Sequence, residues 1–142
     1  MTAPTTPCHV MMYDRSNSST DVFFSALRRA AERGALLYLI AGCEAAPPGA
    51  QQGWTPLPAD RAAEDLVALA RMAQQHGLKL DGRVLTEPDS STILPILRAQ
   101  GAVLAYRADP GSPGAARAPW VDALAAAAQQ LGIGIELLDR AA

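Results

Sequence analysis

Cys8-His9-Val10-Met11-Met12-Tyr13-Asp14-Arg15-Ser16-Asn17-Ser18-Ser19-Thr20 is the stretch that decides the fold. An apolar run stops at Asp14, short oxygen-bearing side chains make a polar turn, and helical spacing of apolar residues begins at once. A strand, a turn and a helix N-terminus therefore follow one another without a linker. In open α/β sheets, ligands sit in the crevice beyond the carboxyl ends of the strands. A helix that opens there directs its unpaired N–H groups and the positive end of its dipole into that crevice. The same residue types also make turns and caps where nothing binds.

Working outward, the pattern repeats. Residues 20–33 place Phe23, Ala26, Leu27 and Ala30 on one helical face, with Ser19 or Thr20 as the cap, Asp21 in the first turn and Gly34 as the stop. Residues 35–41 are apolar throughout, as in a strand buried on both faces. A long linker, residues 44–58, carries Trp54, which either covers the crevice or anchors the loop. Asp60 caps a second helix to about His76, and residues 78–85 read as a third strand ending in Val84 and Leu85. Asp89 or Ser90 opens a third helix with Ile93, Leu94 and Leu97, in which Pro95 is expected to delay the start or kink the axis. Residues 102–106 form a fourth strand, and a loop follows at residues 107–114. The last helix has Pro119 near its first turn and Val121, Leu124, Ala125, Ala128 and Leu131 inward; residues 133–138 form the last strand. Strand–helix alternation predicts one α/β domain over residues 8–142. It is a doubly wound open sheet of about five parallel strands, with helices on both faces and right-handed crossovers. Residues 1–7 read as a disordered lead-in.

Composition narrows the function. The chain has 142 residues and a formal net charge of −2, and its basic residues are scattered rather than gathered into the stripe that nucleic acid requires. No apolar run is long enough for a membrane span, and the polar, Pro-rich start is not a signal sequence, so a cytoplasmic protein is expected. Cys8 and Cys43 suit a reducing compartment and stand at different levels of the sheet, which argues against a disulfide. With only His9 and His76 beside them, a structural zinc site is not expected. His9 reads as a packed strand residue and His76 as a surface residue at a helix end. Cys43 reads as a small buried hydrophobe, and Glu87 and Asp89 as turn and capping groups. Ser16, Ser18 and Ser19 have no histidine that the topology brings near, so no catalytic residue is assigned.

The order and lengths of the elements resemble the universal stress protein family from about Cys8 to Leu138. Tyr13-Asp14-Arg15-Ser16 is similar to that family's first-strand end. Glu32-Arg33-Gly34-Ala35-Leu36-Leu37 is similar to the entry into its second strand, and Thr86-Glu87-Pro88-Asp89-Ser90-Ser91-Thr92-Ile93-Leu94 to its third-strand turn. The resemblance implies an adenine-nucleotide-binding fold, ATP included, in a regulatory protein that often forms homodimers through its last strand. It implies Asp14, with Ser16 beside it, at the ribose, and the backbone near Ile40 and Ala41 at the adenine. Gly111, Ser112 and Gly114 fall at the phosphates. A glycine followed by Ser or Thr is then implied ten residues beyond Gly114, where this chain has Leu124 and Ala125.

That departure has physical weight. A glycine lets backbone approach phosphate closely, and Pro110 and Pro113 supply no N–H to such a loop. Asp109 adds a negative charge that Arg107 or Arg117 would offset, although an arginine beside a loop is ordinarily solvated. One alternative is therefore a member of the same fold that binds no nucleotide and acts as a dimerising interaction module. Another is a flavodoxin-like electron carrier, with flavin mononucleotide phosphate on Ser16 to Thr20 and Trp54 or Tyr106 stacked on the ring. Asp14 and the lack of a glycine in that turn oppose it.

Overall fold

A computed structural model describes residues 6–13, 17–43, 58–108 and 119–138. Nine elements follow in order: β1 (Cys8–Tyr13), α1 (Asn17–Glu32), β2 (Leu36–Cys43), α2 (Pro58–Gln75), β3 (Leu80–Thr86), α3 (Ser90–Gln100), β4 (Ala102–Ala108), α4 (Pro119–Gln130) and β5 (Gly134–Leu138). The strands form one parallel sheet in the order β3-β2-β1-β4-β5. Every residue of β1 is buried, and so is nearly all of β2, because helices cover both faces of the sheet centre. The edge strand β3 instead alternates half-buried and exposed residues, with Asp81 and Arg83 outward. Charges of this kind keep an edge from pairing with other chains.

Two apolar layers sandwich the sheet. On one face α1 supplies Val22, Phe23, Ala26, Leu27 and Ala30, and α2 supplies Leu69 and Ala73, against Met11, Leu37 and Leu39. On the other, Ile93, Ile96 and Leu97 of α3 and Leu124, Ala127 and Ala128 of α4 pack on Val10, Met12, Ile40 and Ala105. Among the described residues no helix is long and apolar enough to cross a membrane.

Some boundaries differ from those read in the sequence. α1 begins at Asn17, so Ser19 and Thr20 lie within its first turn rather than capping it, and Asp21 falls beyond that turn. The first turn leaves its N–H groups unpaired, and short polar residues suit it as well as they suit the cap. α3 neither starts late nor ends at Pro95. The ring removes one bond to the Ser91 carbonyl, but both residues are exposed, so that carbonyl stays open to solvent. The start of α3 is secured by Asp89. Its side chain accepts from the Thr92 N–H at 2.9 Å, while the Thr92 hydroxyl oxygen accepts from the Asp89 N–H at 2.9 Å. Gly101 closes the helix with φ 63°, a conformation that suits glycine.

A polar chain crosses the α1-side core. His9 Nδ1 lies 2.8 Å from the Tyr106 hydroxyl, and both residues are buried. Arg33 Nη1 donates to that same hydroxyl at 3.3 Å, and Arg33 grips Glu136 of β5 at 2.9 Å and 3.2 Å. Arg29 adds a further contact to Glu136 at 3.2 Å. With Arg33 donating to its oxygen, the Tyr106 O–H is free to donate to Nδ1, the arrangement that suits a neutral His9 protonated on Nε2. Burial lowers the His9 pKa first and Arg33 second, with Glu136 opposing. The stability that neutral His9 provides is whole above the ordinary imidazole pKa of about 6.5. It is lost as pH falls below that toward the lowered folded value. Glu136, held low by its bond from Arg33, loses its contribution in the same direction at more acid pH. The urea midpoint of the native chain is therefore expected to drop between about pH 7.5 and about pH 5.5. In His9→Asn, whose amide oxygen takes the place of Nδ1 without titrating, the drop should shrink. A flat native profile would contradict this account.

Candidate functional site

The chain runs from β1 outward through β2 to β3, crosses back over α3 to β4 beside β1, and continues to β5. The connections change direction between β1 and β4, and in open α/β sheets that switch point is where the ligand crevice opens. Residues 14–16 and 109–118 leave from the carboxyl ends of these two strands. The order is not the 2-1-3-4-5 of flavodoxin-like sheets.

The neighbouring strand ends are firmly tied. β1 ends opposite Ala41, whereas Gly42 and Cys43 extend past it and pair with Leu85 and Thr86 of β3. The Cys43 carbonyl accepts from the Glu87 N–H at 2.7 Å. Its thiol is buried, 3.5 Å from the Leu85 carbonyl oxygen and 3.6 Å from Thr86 Oγ1. Glu87 has φ 43°, an unusual conformation for a residue with a side chain. It is held between the bond to Cys43 and the buried Pro88. Asp89, next along, is pulled below the usual carboxylate range by the Ser91 hydroxyl and the Thr92 N–H. This turn is a built structural corner, and Glu87 and Asp89 serve it as the sequence suggests.

By sequence the chain matches no family model and no curated protein. By structure it is similar to a protein from the universal stress protein family of Burkholderia pseudomallei, with TM-score 0.60 and 15% identity over 92% of this chain and 94% of that one. It is likewise similar to a universal stress protein in complex with cAMP, with TM-score 0.59 and 14% identity over 95% and 98%. A third is the universal stress protein from Archaeoglobus fulgidus in complex with dAMP, with TM-score 0.58 and 14% identity over 96% and 98%. The chain has the universal stress protein fold. At these identities the likeness is one of architecture.

Within that universal stress protein fold, the residues singled out from the sequence fall in different places. Asp14, Ser16, Gly111, Ser112 and Gly114 lie outside the described residues, as do residues 1–5 and residues 44–57 of the Trp54 linker, whose last residue, Pro58, opens α2. Ile40 and Ala41 are buried, 0% and 1% exposed, and sit inside the ladder with β1 on one side and β3 on the other. Leu124 lies inward on the last helix, as its spacing predicts. Pro119 opens α4 only five residues after Gly114, so the position ten residues on is already in the second turn of the helix, on its core face. Tyr106 corrects the flavin reading, because it is 0% exposed and engaged with His9 and Arg33, with no face free to stack.

Arg107 is the residue that sequence reasoning undervalued. It is largely withdrawn from solvent: its side chain is 19% exposed, and Nη2 lies 3.3 Å from Asp122 Oδ1 in the first turn of α4. Strand alternation carried the signal, since Ala105 and Arg107, two residues apart beyond the irregularity at the start of β4, share one face.

Proposed function

We propose that this chain binds an adenine nucleotide at the carboxyl ends of β1, β2 and β4 and acts as a stress-response or regulatory protein without rapid catalysis. Asp14 accepts hydrogen bonds from the ribose hydroxyls, with Ser16 beside it. The backbone at the end of β2, near Ile40 and Ala41, meets the adenine, and Gly111, Ser112 and Gly114 lie along the phosphates. The observation that carries this reading is the switch point between β1 and β4, from which both of these loops depart. Two structures of the same fold, described as complexes with cAMP and dAMP, support it. We place the protein in the cytoplasm, as a homodimer joined through β5, an edge strand on which Leu137 is 51% exposed.

The test is direct. Purified chain is denatured and the extract is read by absorbance and mass, and the folded chain is titrated with ATP in the millimolar range. The expected result is an adenine nucleotide in the extract or saturable ATP binding. Asp14→Ala is expected to weaken that binding about tenfold, the loss typical of a charged hydrogen-bond acceptor. A flavin in the extract, or no response to nucleotide, would overturn the proposal. The second outcome would favour an interaction module, a reading that the placement of Leu124 inside α4 supports.

A further inference from the structure

An arginine occupies a position where the fold asks for an aliphatic residue. Ala105, two residues earlier on the same face of β4, is 1% exposed in the α3–α4 core. Arg107 continues that face at the carboxyl end of β4, at the switch point, with its guanidinium beside the first turn of α4. A guanidinium has five N–H donors. Among the described residues one contact is made, to Asp122, whose side chain is 64% exposed. The Arg107 Nε is buried and has no hydrogen-bond partner among the described residues. A buried N–H with no partner is costly unless an acceptor arrives.

We infer that Arg107 is the phosphate-binding side chain of this crevice, donating from Nε and a terminal nitrogen to anionic phosphoryl oxygens of the bound nucleotide. This rests on the adenine-nucleotide reading and sharpens it: the site takes a phosphorylated nucleotide in preference to the nucleoside. Guanidinium groups suit such oxygens because two parallel N–H bonds fit their geometry. The side chain also compensates for what the adjoining loop lacks, since Pro110 and Pro113 have no N–H to offer. Asp122, mostly in solvent, yields its weak contact to the ligand.

The experiment titrates the full chain with adenosine, AMP and ATP by calorimetry, and follows its melting with inorganic tripolyphosphate. The native chain should bind AMP and ATP more tightly than adenosine. Arg107→Gln should weaken AMP and ATP about tenfold or more, as expected for a charge-assisted contact, and leave adenosine unchanged. Arg107→Lys, which keeps the charge but not the planar fork, should recover part of the loss, and it reads the same series if the glutamine variant does not fold. Undiminished AMP and ATP affinity in both variants, or an equal loss for adenosine, would overturn the inference. If the native chain ignores adenosine, AMP and ATP, and tripolyphosphate still raises its melting temperature through Arg107, the nucleotide reading falls and the anion site stands. No response to any of them overturns both.

Discussion

Leu124→Gly is expected to cost about 3–6 kcal/mol, a Leu-to-Ala cavity loss plus the helix cost of glycine. The substitution writes into the chain the glycine that the phosphate motif implies ten residues beyond Gly114. In this structure that residue stands in the second turn of α4, 2% exposed, packed in the layer that includes Ile93, Leu97, Val10 and Ala105. The other residues α4 fully buries, among those described, are Ala127 and Ala128. Leu124 is therefore the largest buried side chain among the described residues of α4, and the methyl groups of Ala127 and Ala128 are too short to fill its place. Domains of this size have stabilities of about 5–15 kcal/mol, so the variant sits at or near unfolding. Urea denaturation of Leu124→Gly beside Leu124→Ala separates the cavity cost from the glycine cost, and ATP titration of whatever remains folded tests for gain of binding. A stable Leu124→Gly protein with raised ATP affinity would mean that α4 starts later and that the glycine-loop spacing holds after all.

The contrast between Leu124 and Arg107 explains how far the sequence was legible. Apolar runs such as residues 35–41, and faces such as Phe23, Ala26, Leu27 and Ala30, announced strands and helices because burial imposes a period on the sequence. Alternation of these elements then sufficed for a parallel doubly wound sheet. Leu124 was legible as a core residue of the last helix, and its 2% exposure agrees with the absence there of the glycine that the family motif implies. Arg107, by contrast, was obscure. It closes an apolar strand and opens a Pro/Gly-rich stretch, so composition assigns it to the loop, whereas the ladder to Leu137 extends β4 through it. The His9–Tyr106–Arg33–Glu136 chain joins residues from β1, β4, the end of α1 and β5. No local pattern encodes a contact whose members are far apart in sequence.

Gly82→Ala is expected to destabilise the domain by about 3 kcal/mol or more, a sign opposite to the usual effect of that substitution. Replacing glycine by alanine in an ordinary extended conformation stabilises by about 0.4–1 kcal/mol, because the unfolded chain loses freedom. Gly82 stands opposite Leu39 in the β2–β3 ladder, and a Cβ there would meet the Leu39 carbonyl oxygen well inside 3.0 Å and Leu66 Cδ1 at 3.0 Å. The leucine methyl can turn aside. The carbonyl cannot, because Leu39 is 0% exposed in a strand fixed between β1 and β3. The edge strand β3 must therefore move outward, and the displacement should reach its carboxyl end, where the Glu87 N–H meets the Cys43 carbonyl and Glu87 is held at φ 43°. Two measurements follow the two consequences. The urea midpoint should fall, and the buried Cys43 thiol should react faster with a thiol reagent, assigned by peptide mass so that Cys8 serves as the internal reference. A neutral or stabilised Gly82→Ala would show that β3 does not approach β2 this closely. Lowered stability with unchanged Cys43 reactivity would confine the disturbance to the middle of the strand and leave the corner beside the crevice intact.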